Sequence, residues 1–182
     1  MNNPGYVACV ESNSVGVVDV AQGRQVATIP VGRAPVQVGF TPDGQKVYVS
    51  LREENAAAVI DVATRRKAAA IPTGKGPIQV HATPDGRYVY VANQGTEQNP
   101  DSTVSAIETR TNQVVATIPT GAGAHGVAVS TDGRYVFIAN SFANTMSVIE
   151  VAAQRVARSV PVGEQPGGIS YRPAPAERRP GR

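Results

Sequence analysis

The chain has 182 residues, of which 41% are hydrophobic and 17% charged, and this balance is typical of a single globular domain. The formal net charge is +3, but residues 172–182 hold four arginines and one glutamate, which leaves 13 basic and 13 acidic residues elsewhere. An electrically balanced body argues against a folded platform for nucleic acid, so nucleic acid is not an expected partner. The single cysteine, Cys9, excludes an intramolecular disulfide and a multi-cysteine metal site.

Neither end of the sequence indicates a targeting segment. Residues 1–5 contain neither a charged region nor an apolar one, so no secretory signal is visible, and no stretch is apolar enough to span a bilayer. Residues 174–182 are rich in proline and arginine and offer almost nothing to bury. This composition predicts a disordered basic tail.

From the N-terminus onward, every predicted element is a β-strand. Three strands come first, in YVACV (6–10), SVGVVDV (14–20) and RQVATIP (24–30). A complete unit of four follows, and we label its strands A to D in chain order. They are VQVGF (36–40), KVYVS (46–50), AAVIDV (57–62) and KAAAIP (67–72). The many valines, isoleucines and alanines suit strands that are covered on both faces, and no helical period is present.

This unit returns along the chain with nearly constant spacing. The Ile or Val before the proline that ends strand D falls at residues 29, 71, 118 and 160, so the spacings are 42, 47 and 42 residues. The A–B turn repeats as TPDG, TPDG and STDG, in which Asp-Gly supplies the positive φ that a tight hairpin needs. A four-stranded antiparallel unit of this length, repeated head to tail, is typical of a β-propeller blade. The predicted fold is therefore all-β, a β-propeller of four-stranded antiparallel blades.

The predicted blades cover residues 33–74, 75–121 and 122–163, and the two ends of the chain contribute to a fourth. Residues 1–32 supply strands B, C and D without A, whereas residues 163–173 resemble an A strand. Their phase in the repeat predicts one shared blade, closed within one chain or by pairing with a second copy. A piece of a larger propeller is the alternative. Where the ring is not closed within one chain, the unpaired strand edges of its end blades favour self-association.

These elements, with the strand endings YVS, YVAN and FIAN, resemble the YVTN-type β-propeller repeat from about Tyr6 to Pro173. The resemblance implies bacterial or archaeal relatives at the cell surface or in the periplasm. They include lactonase-type propellers and propellers that hold a haem of the d1 type. Such propellers usually have about seven blades. The compartment stays open, because the resemblance implies a periplasmic or extracellular protein whereas no secretory signal is visible.

In a propeller the D–A and B–C loops lie on one rim, and here that rim is the irregular one. One B–C loop carries five extra residues, around Gly95–Ser102, which explains the spacing of 47. Insertions on one rim of a repeat scaffold are where binding elaborations occur, although an insertion there is also simply tolerated. The candidate ligand-binding residues of the rim and channel are His125, His81, Arg33, Lys75, Arg52, Asn93 and Asn140.

Each kind of candidate also has a structural interpretation. Arg33 and Lys75 hold matching D–A positions and offer two cations to an anionic ligand, but solvated surface charges are the commoner case. Asn93 and Asn140 end their B strands, where asparagine caps turns. His125 opens an A strand near the channel mouth, and His81 lies in the middle of one. A lone histidine is more often a hydrogen-bonded structural residue than a ligand, and two fall short of a zinc site.

No catalytic constellation stands out from the repeat. The sequence has no GxSxG elbow, no phosphate-binding glycine loop and no paired-carboxylate motif. It therefore predicts a non-catalytic propeller scaffold that binds a protein or small-molecule ligand on the loop rim, without a metal or a cofactor. The alternative, which the family resemblance implies, is a lactonase-type hydrolase or a haem-d1-type propeller that uses the two histidines.

Overall fold

The computed structural model describes residues 4–172, and these form fifteen β-strands in four antiparallel sheets. The strands are β1 (Pro4–Cys9), β2 (Ser14–Asp19), β3 (Arg24–Pro30), β4 (Pro35–Phe40), β5 (Lys46–Leu51), β6 (Ala56–Asp61), β7 (Arg66–Pro72), β8 (Pro77–Ala82), β9 (Tyr88–Gly95), β10 (Pro100–Glu108), β11 (Gln113–Pro119), β12 (Ala124–Val129), β13 (Tyr135–Asn140), β14 (Thr145–Glu150) and β15 (Arg155–Pro161). The described residues contain no helix that could cross a membrane. The predicted all-β architecture is confirmed, and the tail predicted at 174–182 lies outside the described residues.

Each sheet is a blade in which strands adjacent in sequence lie side by side. Strands β1–β3 form a three-stranded blade 1, and β4–β7, β8–β11 and β12–β15 form the four-stranded blades 2, 3 and 4. The tight A–B turns have the predicted geometry, because Gly44, Gly86 and Gly133 have φ values of 69° to 70°. In the first of these turns, Asp43 accepts a hydrogen bond of 2.6 Å from the Thr41 hydroxyl, which holds the pKa of that carboxyl below its ordinary value.

The hydrophobic core lies between blades rather than within one. In β5, Val47 and Val49 pack against blade 1, whereas Tyr48 between them packs against blade 3. All three side chains are fully buried. Because side chains alternate along a strand, each blade presents an apolar face to either neighbour. Substantial contacts between blades join only neighbours in sequence, so the four blades form an open arc.

The C-terminal segment 163–172 does not complete blade 1, as closure within one chain would require. It forms no strand, and β1 pairs only with β2 among the described residues. The segment lies instead against blade 4, where Gly126 leaves it room. A Cβ on that glycine would come within 2.6 Å of the Gly167 carbonyl oxygen. The segment does not reach blade 1 because the four blades form an open arc. Blade 1 lies at one end of this arc, and the segment follows blade 4 at the other end.

Buried tyrosine hydroxyls join neighbouring blades at the rim of the A–B and C–D turns. Tyr48 of blade 2 donates to Asn112 Oδ1 of blade 3 over 2.8 Å. Gln154 Nε2 of blade 4 donates to the Tyr90 hydroxyl of blade 3 over 2.9 Å. Burial raises the pKa of Tyr48 and of Tyr90 to about 12, because the phenolate would lose its hydration.

Replacing both Tyr48 and Tyr90 by phenylalanine tests these contacts. At pH 7 we expect the free energy of unfolding to fall by about 2 kcal/mol, about 1 kcal/mol for each hydrogen bond removed. At high pH a second difference appears. Phenols of the unfolded chain ionise near their ordinary pKa of 10.0, whereas the buried pair keep their protons up to about 12. The stability that these two buried tyrosines contribute to the wild type is therefore complete below pH 10 and is lost as the pH rises toward 12.

Urea titrations at neutral pH and at several pH values above 10, followed by circular dichroism, measure both effects. The double variant should show a shallower loss of stability with rising pH than the wild type. The control is Tyr171→Phe, because that ring is exposed and its loss should change neither quantity. The same pH dependence in wild type and double variant would contradict the assignment.

Candidate functional site

Two sets of loops meet on one rim of the arc, as predicted. Asparagine side chains of the B–C loops hold the D–A loops in place, because each accepts a hydrogen bond from a backbone amide of a D–A loop. Asn55 Oδ1 accepts the amide of Gly76 over 2.9 Å, and Asn13 Oδ1 accepts that of Ala34 over 3.0 Å. Asn144 repeats the contact after blade 4. All three asparagines have a left-handed φ of 51° to 55°, which asparagine tolerates better than most residues.

Blade 3 differs at this rim, because its inserted residues form a small hairpin that we call the rim hairpin (residues 95–100). Thr96 and Asn99 exchange backbone hydrogen bonds of 3.1 and 3.2 Å at its tip. Its base is bound to the neighbouring D–A loop, where the Gly95 amide donates to the Lys75 carbonyl over 2.9 Å. The hairpin is therefore closed by its own backbone at the tip and bound to the D–A loop at its base.

A cavity of about 310 Å³ lies on one side of the rim hairpin, and we call it the basic cavity. Its lining residues are Arg52, Glu53, Asn55, Lys75, Gly76, Gly95, Thr96 and Asn99. Two predicted candidates, Arg52 and Lys75, come together here. Lys75 Nζ donates to Asn99 Oδ1 over 3.2 Å, which draws the ammonium group toward the hairpin. Two cations against the single carboxylate of Glu53 favour an anionic group in this cavity.

A second cavity, of about 700 Å³, lies beyond the rim hairpin toward blade 4. Its lining residues are Glu97, Ser141, Phe142, Asn144, Glu164 and Gln165. The charged side chains in this lining are both carboxylates, so we call it the acidic cavity. Thr96 lines the basic cavity and the next residue, Glu97, lines the acidic one. The rim hairpin thus separates two cavities of opposite charge.

Arg33 lines neither of these two cavities. It lies at the matching loop between blades 1 and 2, where its Nη2 donates to the Glu53 carbonyl over 3.2 Å. Its backbone amide donates to Glu54 Oε1 over 2.8 Å, and its guanidinium lies 4.0 Å from the same oxygen. Arg33, which the sequence groups with Lys75, is therefore bound by Glu53 and Glu54 at the junction of blades 1 and 2.

Asn93 and Asn140 lie inside the blades rather than on the rim. Both side chains are fully buried. Asn93 Nδ2 donates to Thr103 Oγ1 over 3.0 Å and to Ser105 Oγ over 3.1 Å, and Asn140 makes the matching pair of contacts in blade 4. These amides hold the ends of strands B and C together, and neither lines the two rim cavities.

The two histidines have separate surroundings. His81 is exposed on β8, where it lines a cavity of about 190 Å³ with residues of β4. His125 is half-buried on β12, and its Nδ1 lies 2.8 Å from the Gly167 carbonyl oxygen. The C-terminal segment thus occupies one of its ring nitrogens. Within residues 4–172, no group of three or more His, Cys, Asp or Glu side chains is placed to hold a metal ion.

The cavity residues that the sequence did not single out come from the insertion and from the last D–A loop. The repeat spacing shows how many residues are inserted, but it does not show where Glu97 and Asn99 point. Glu164 had a usable signal, because it stands at the D–A position where Arg33 and Lys75 stand in earlier copies. The reversed charge at that matched position could have revealed the acidic cavity.

Antiparallel blades stacked in an arc, with two sets of loops joined on one rim, define a β-propeller protein. The chain belongs to the YNCE-like beta-propeller family, whose model matches residues 3–175. Among solved structures, a chain of Kuenenia stuttgartiensis hydrazine synthase is similar, with 24% identity and a TM-score of 0.80 over 85% of this chain and 45% of that chain. This likeness shows the fold alone, and the chain spans less than half of that relative. No curated protein matches the sequence significantly.

Gly95→Ala tests whether the rim hairpin is rigidly built. Gly95 has a φ of +66°, and a Cβ there would lie 2.4 Å from the Asp101 nitrogen and 2.5 Å from the Asn99 carbonyl oxygen. Gly23→Ala is the matched control, because Gly23 has a φ of +62° with nothing within 4 Å of its Cβ position. Left-handed strain costs both variants about 1–2 kcal/mol.

Only Gly95→Ala adds a clash with backbone atoms, so its free energy of unfolding should fall by about 1 kcal/mol or more beyond that of the control. Urea unfolding curves of the two variants measure the difference. Equal losses would show that the hairpin adjusts freely and that the walls of the two cavities are not fixed.

Proposed function

We propose that this protein is a non-catalytic β-propeller scaffold that binds a protein partner on the rim of its B–C and D–A loops, with an acidic group of the partner in the basic cavity. The observation that carries the proposal is the rim hairpin, which occurs in one of the four described blades and lines one cavity together with Arg52 and Lys75. An element present in a single copy is not needed for stacking blades. Unique loops on a repeat scaffold commonly serve binding.

The chemistry of the basic cavity suits a carboxylate. Arg52 offers a planar guanidinium for paired hydrogen bonds, and Lys75 offers a flexible point charge. Both side chains are exposed, so each ion pair contributes about 0.2–1 kcal/mol. Two such pairs supply at most about 2 kcal/mol, whereas even millimolar binding requires about 4 kcal/mol. The remaining affinity must come from a wider contact, which favours a protein segment over a small free anion.

The acidic cavity completes this surface. A segment that crosses the rim hairpin would place an acidic side chain in the basic cavity and a basic one near Glu97 and Glu164. Charges of opposite sign on either side of the hairpin fix the direction of the bound segment, because the reversed segment would bring like charges together.

Selection of random peptides displayed on phage against the full chain tests the proposal. Enriched peptides should contain aspartate or glutamate, and they should bind the Arg52→Glu, Lys75→Glu double variant at least tenfold more weakly than the wild type. The matched control is Arg66→Glu with Arg110→Glu, which changes the net charge equally but lies beside the C–D turns of the opposite rim. Binding titrations at low and moderate salt measure the affinities.

Peptides that bind both double variants equally, or a failure to enrich any peptide, would contradict rim binding. The lactonase-type or haem-d1-type alternative stays a prediction from the family resemblance. Lactone hydrolysis or a specific haem spectrum that is lost in His125→Ala or His81→Ala would replace the scaffold function.

A further inference from the structure

A cavity of about 290 Å³ lies between blades 3 and 4, on the rim of the A–B and C–D turns, and we call it the turn cavity. The A–B turns of the two blades lie close together, because a Cβ on Gly133 would come within 3.5 Å of Pro84 Cδ. The polar and aromatic residues that line the cavity are Asp85, Arg87, Tyr88, Arg134, Tyr135 and Glu150. It is therefore a site at a junction inside the arc, on the rim opposite the rim hairpin.

Two arginines of the turn cavity are held over tyrosine rings. Arg87 Cζ lies 4.9 Å from the centroid of the Tyr88 ring, and Arg134 Cζ lies 5.5 Å from that of Tyr135. Among the described residues, neither guanidinium group donates a hydrogen bond or forms an ion pair. Because stacking uses one face of each group, its N–H donors and its other face can bind a ligand.

The cavity also contains two carboxylates, and they decide which charge a ligand carries. Asp85 Oδ1 accepts hydrogen bonds from the Thr83 hydroxyl and from the Arg87 amide, so it belongs to the turn. Glu150 is half-buried, and within residues 4–172 its side chain has no hydrogen bond or ion pair. A phosphate or another polyanion would meet like charge here. Two cations and two carboxylates instead favour a ligand that carries both signs.

At the matching junction of blades 2 and 3, a lysine of the protein provides an ammonium group. Lys46 stands at the position in the repeat that Tyr88 holds in blade 3. Its Nζ donates to the Thr109 carbonyl over 2.5 Å and to Asn112 Oδ1 over 3.1 Å. The C–D turn of the following blade thus offers acceptors that suit an ammonium group.

The C–D turn of blade 4 has the corresponding acceptor without the lysine. Gln154 takes the place of Asn112 in the repeat, and its Nε2 donates to the Tyr90 hydroxyl over 2.9 Å. Its Oε1 is buried and has no hydrogen-bond partner among the described residues. Val151, three residues earlier in the same turn, lines the turn cavity. Because a buried oxygen without a partner destabilises a protein, a donor is expected beside Gln154.

We propose that the turn cavity binds a free α-amino acid with an aromatic side chain. Its ammonium group takes the place that the Lys46 ammonium has in the preceding junction, donating to Gln154 Oε1 near Glu150. Its carboxylate receives the N–H groups of Arg87 and Arg134, and its ring stacks on a free guanidinium face. The cavity volume equals that of about ten water molecules at ~30 Å³ each, which suits one amino acid rather than a peptide.

The three contacts are needed together. Both arginines are exposed, so ion pairs with them are individually weak, as they are in the basic cavity. The buried Gln154 oxygen and the stacked ring add contacts that a small free anion could not make. The ligand is therefore recognised by its ammonium group, its carboxylate and its ring at once.

Ligand-observed NMR titrations of the full chain at neutral pH test the site with L-phenylalanine as the probe. We expect a dissociation constant in the millimolar range or below. N-acetyl-L-phenylalanine lacks the ammonium group, L-phenylalaninamide lacks the carboxylate and L-alanine lacks the ring. Each should bind about tenfold more weakly, because each loses one contact. No binding of L-phenylalanine, or equal binding of any of the three derivatives, would overturn the proposal.

Variants show whether binding occurs in the turn cavity. Arg87→Gln introduces the residue that Gln45 provides at the same position of blade 2, and Tyr88→Lys introduces the ammonium group of Lys46. Both should weaken L-phenylalanine binding about tenfold or more, the second because its own ammonium occupies the acceptor. The matched control is Arg66→Gln, which removes an exposed arginine of the same rim outside the cavity and should bind like the wild type.

Circular dichroism checks that all three variants are folded. Equal affinity of Arg87→Gln and Arg66→Gln, or wild-type affinity of a folded Tyr88→Lys variant, would overturn the assignment to this cavity. The binding proposed for the loop rim lies on the opposite rim and does not depend on this outcome.

Discussion

Every part of this structure depends on one constraint, which is that a blade has two apolar faces and cannot bury either by itself. Tyr48 points to one neighbour while Val47 and Val49 point to the other, and all three are fully buried. Burying one such side chain contributes about 1.5–3 kcal/mol, so the stacking of blades supplies most of the stability. Among residues 4–172, exposed valines at the two ends of the arc, Val7 and Val160, show the faces that no described blade covers.

The same stacking makes the rim suitable for binding. Asn13 and Asn55 brace two of the loop junctions with their own side chains, so these braces do not use the side chains of the rim hairpin. The side chains of that hairpin can therefore serve binding, with cations on one side of it and carboxylates on the other. The packing that every described blade repeats supplies the stability, whereas the proposed function depends on the rim hairpin, which only blade 3 of the four contains.

The repeat made the strands, the turns and the irregular rim predictable, because each depends on spacing along the chain. The site was predictable only in part. Arg52 and Lys75 do meet in one cavity, but Arg33 is held at another junction and Asn93 and Asn140 are buried. These differences could not be predicted because burial depends on which blade face a neighbour covers. The contact of His125 with the Gly167 carbonyl could not be predicted either, because the repeat assigns Gly167 to the blade shared with residues 1–32.

The sequence by itself determined the all-β class, the four-strand blade and the rim on which the loops gather. These follow from alternation, Asp-Gly turns and a constant period, which are local properties. Only the tertiary structure decided where residues 163–172 lie, which charges share a cavity and which blade faces remain open. Those features depend on how far each blade rotates from the last, and that rotation is set by side-chain packing between sheets rather than by spacing along the chain.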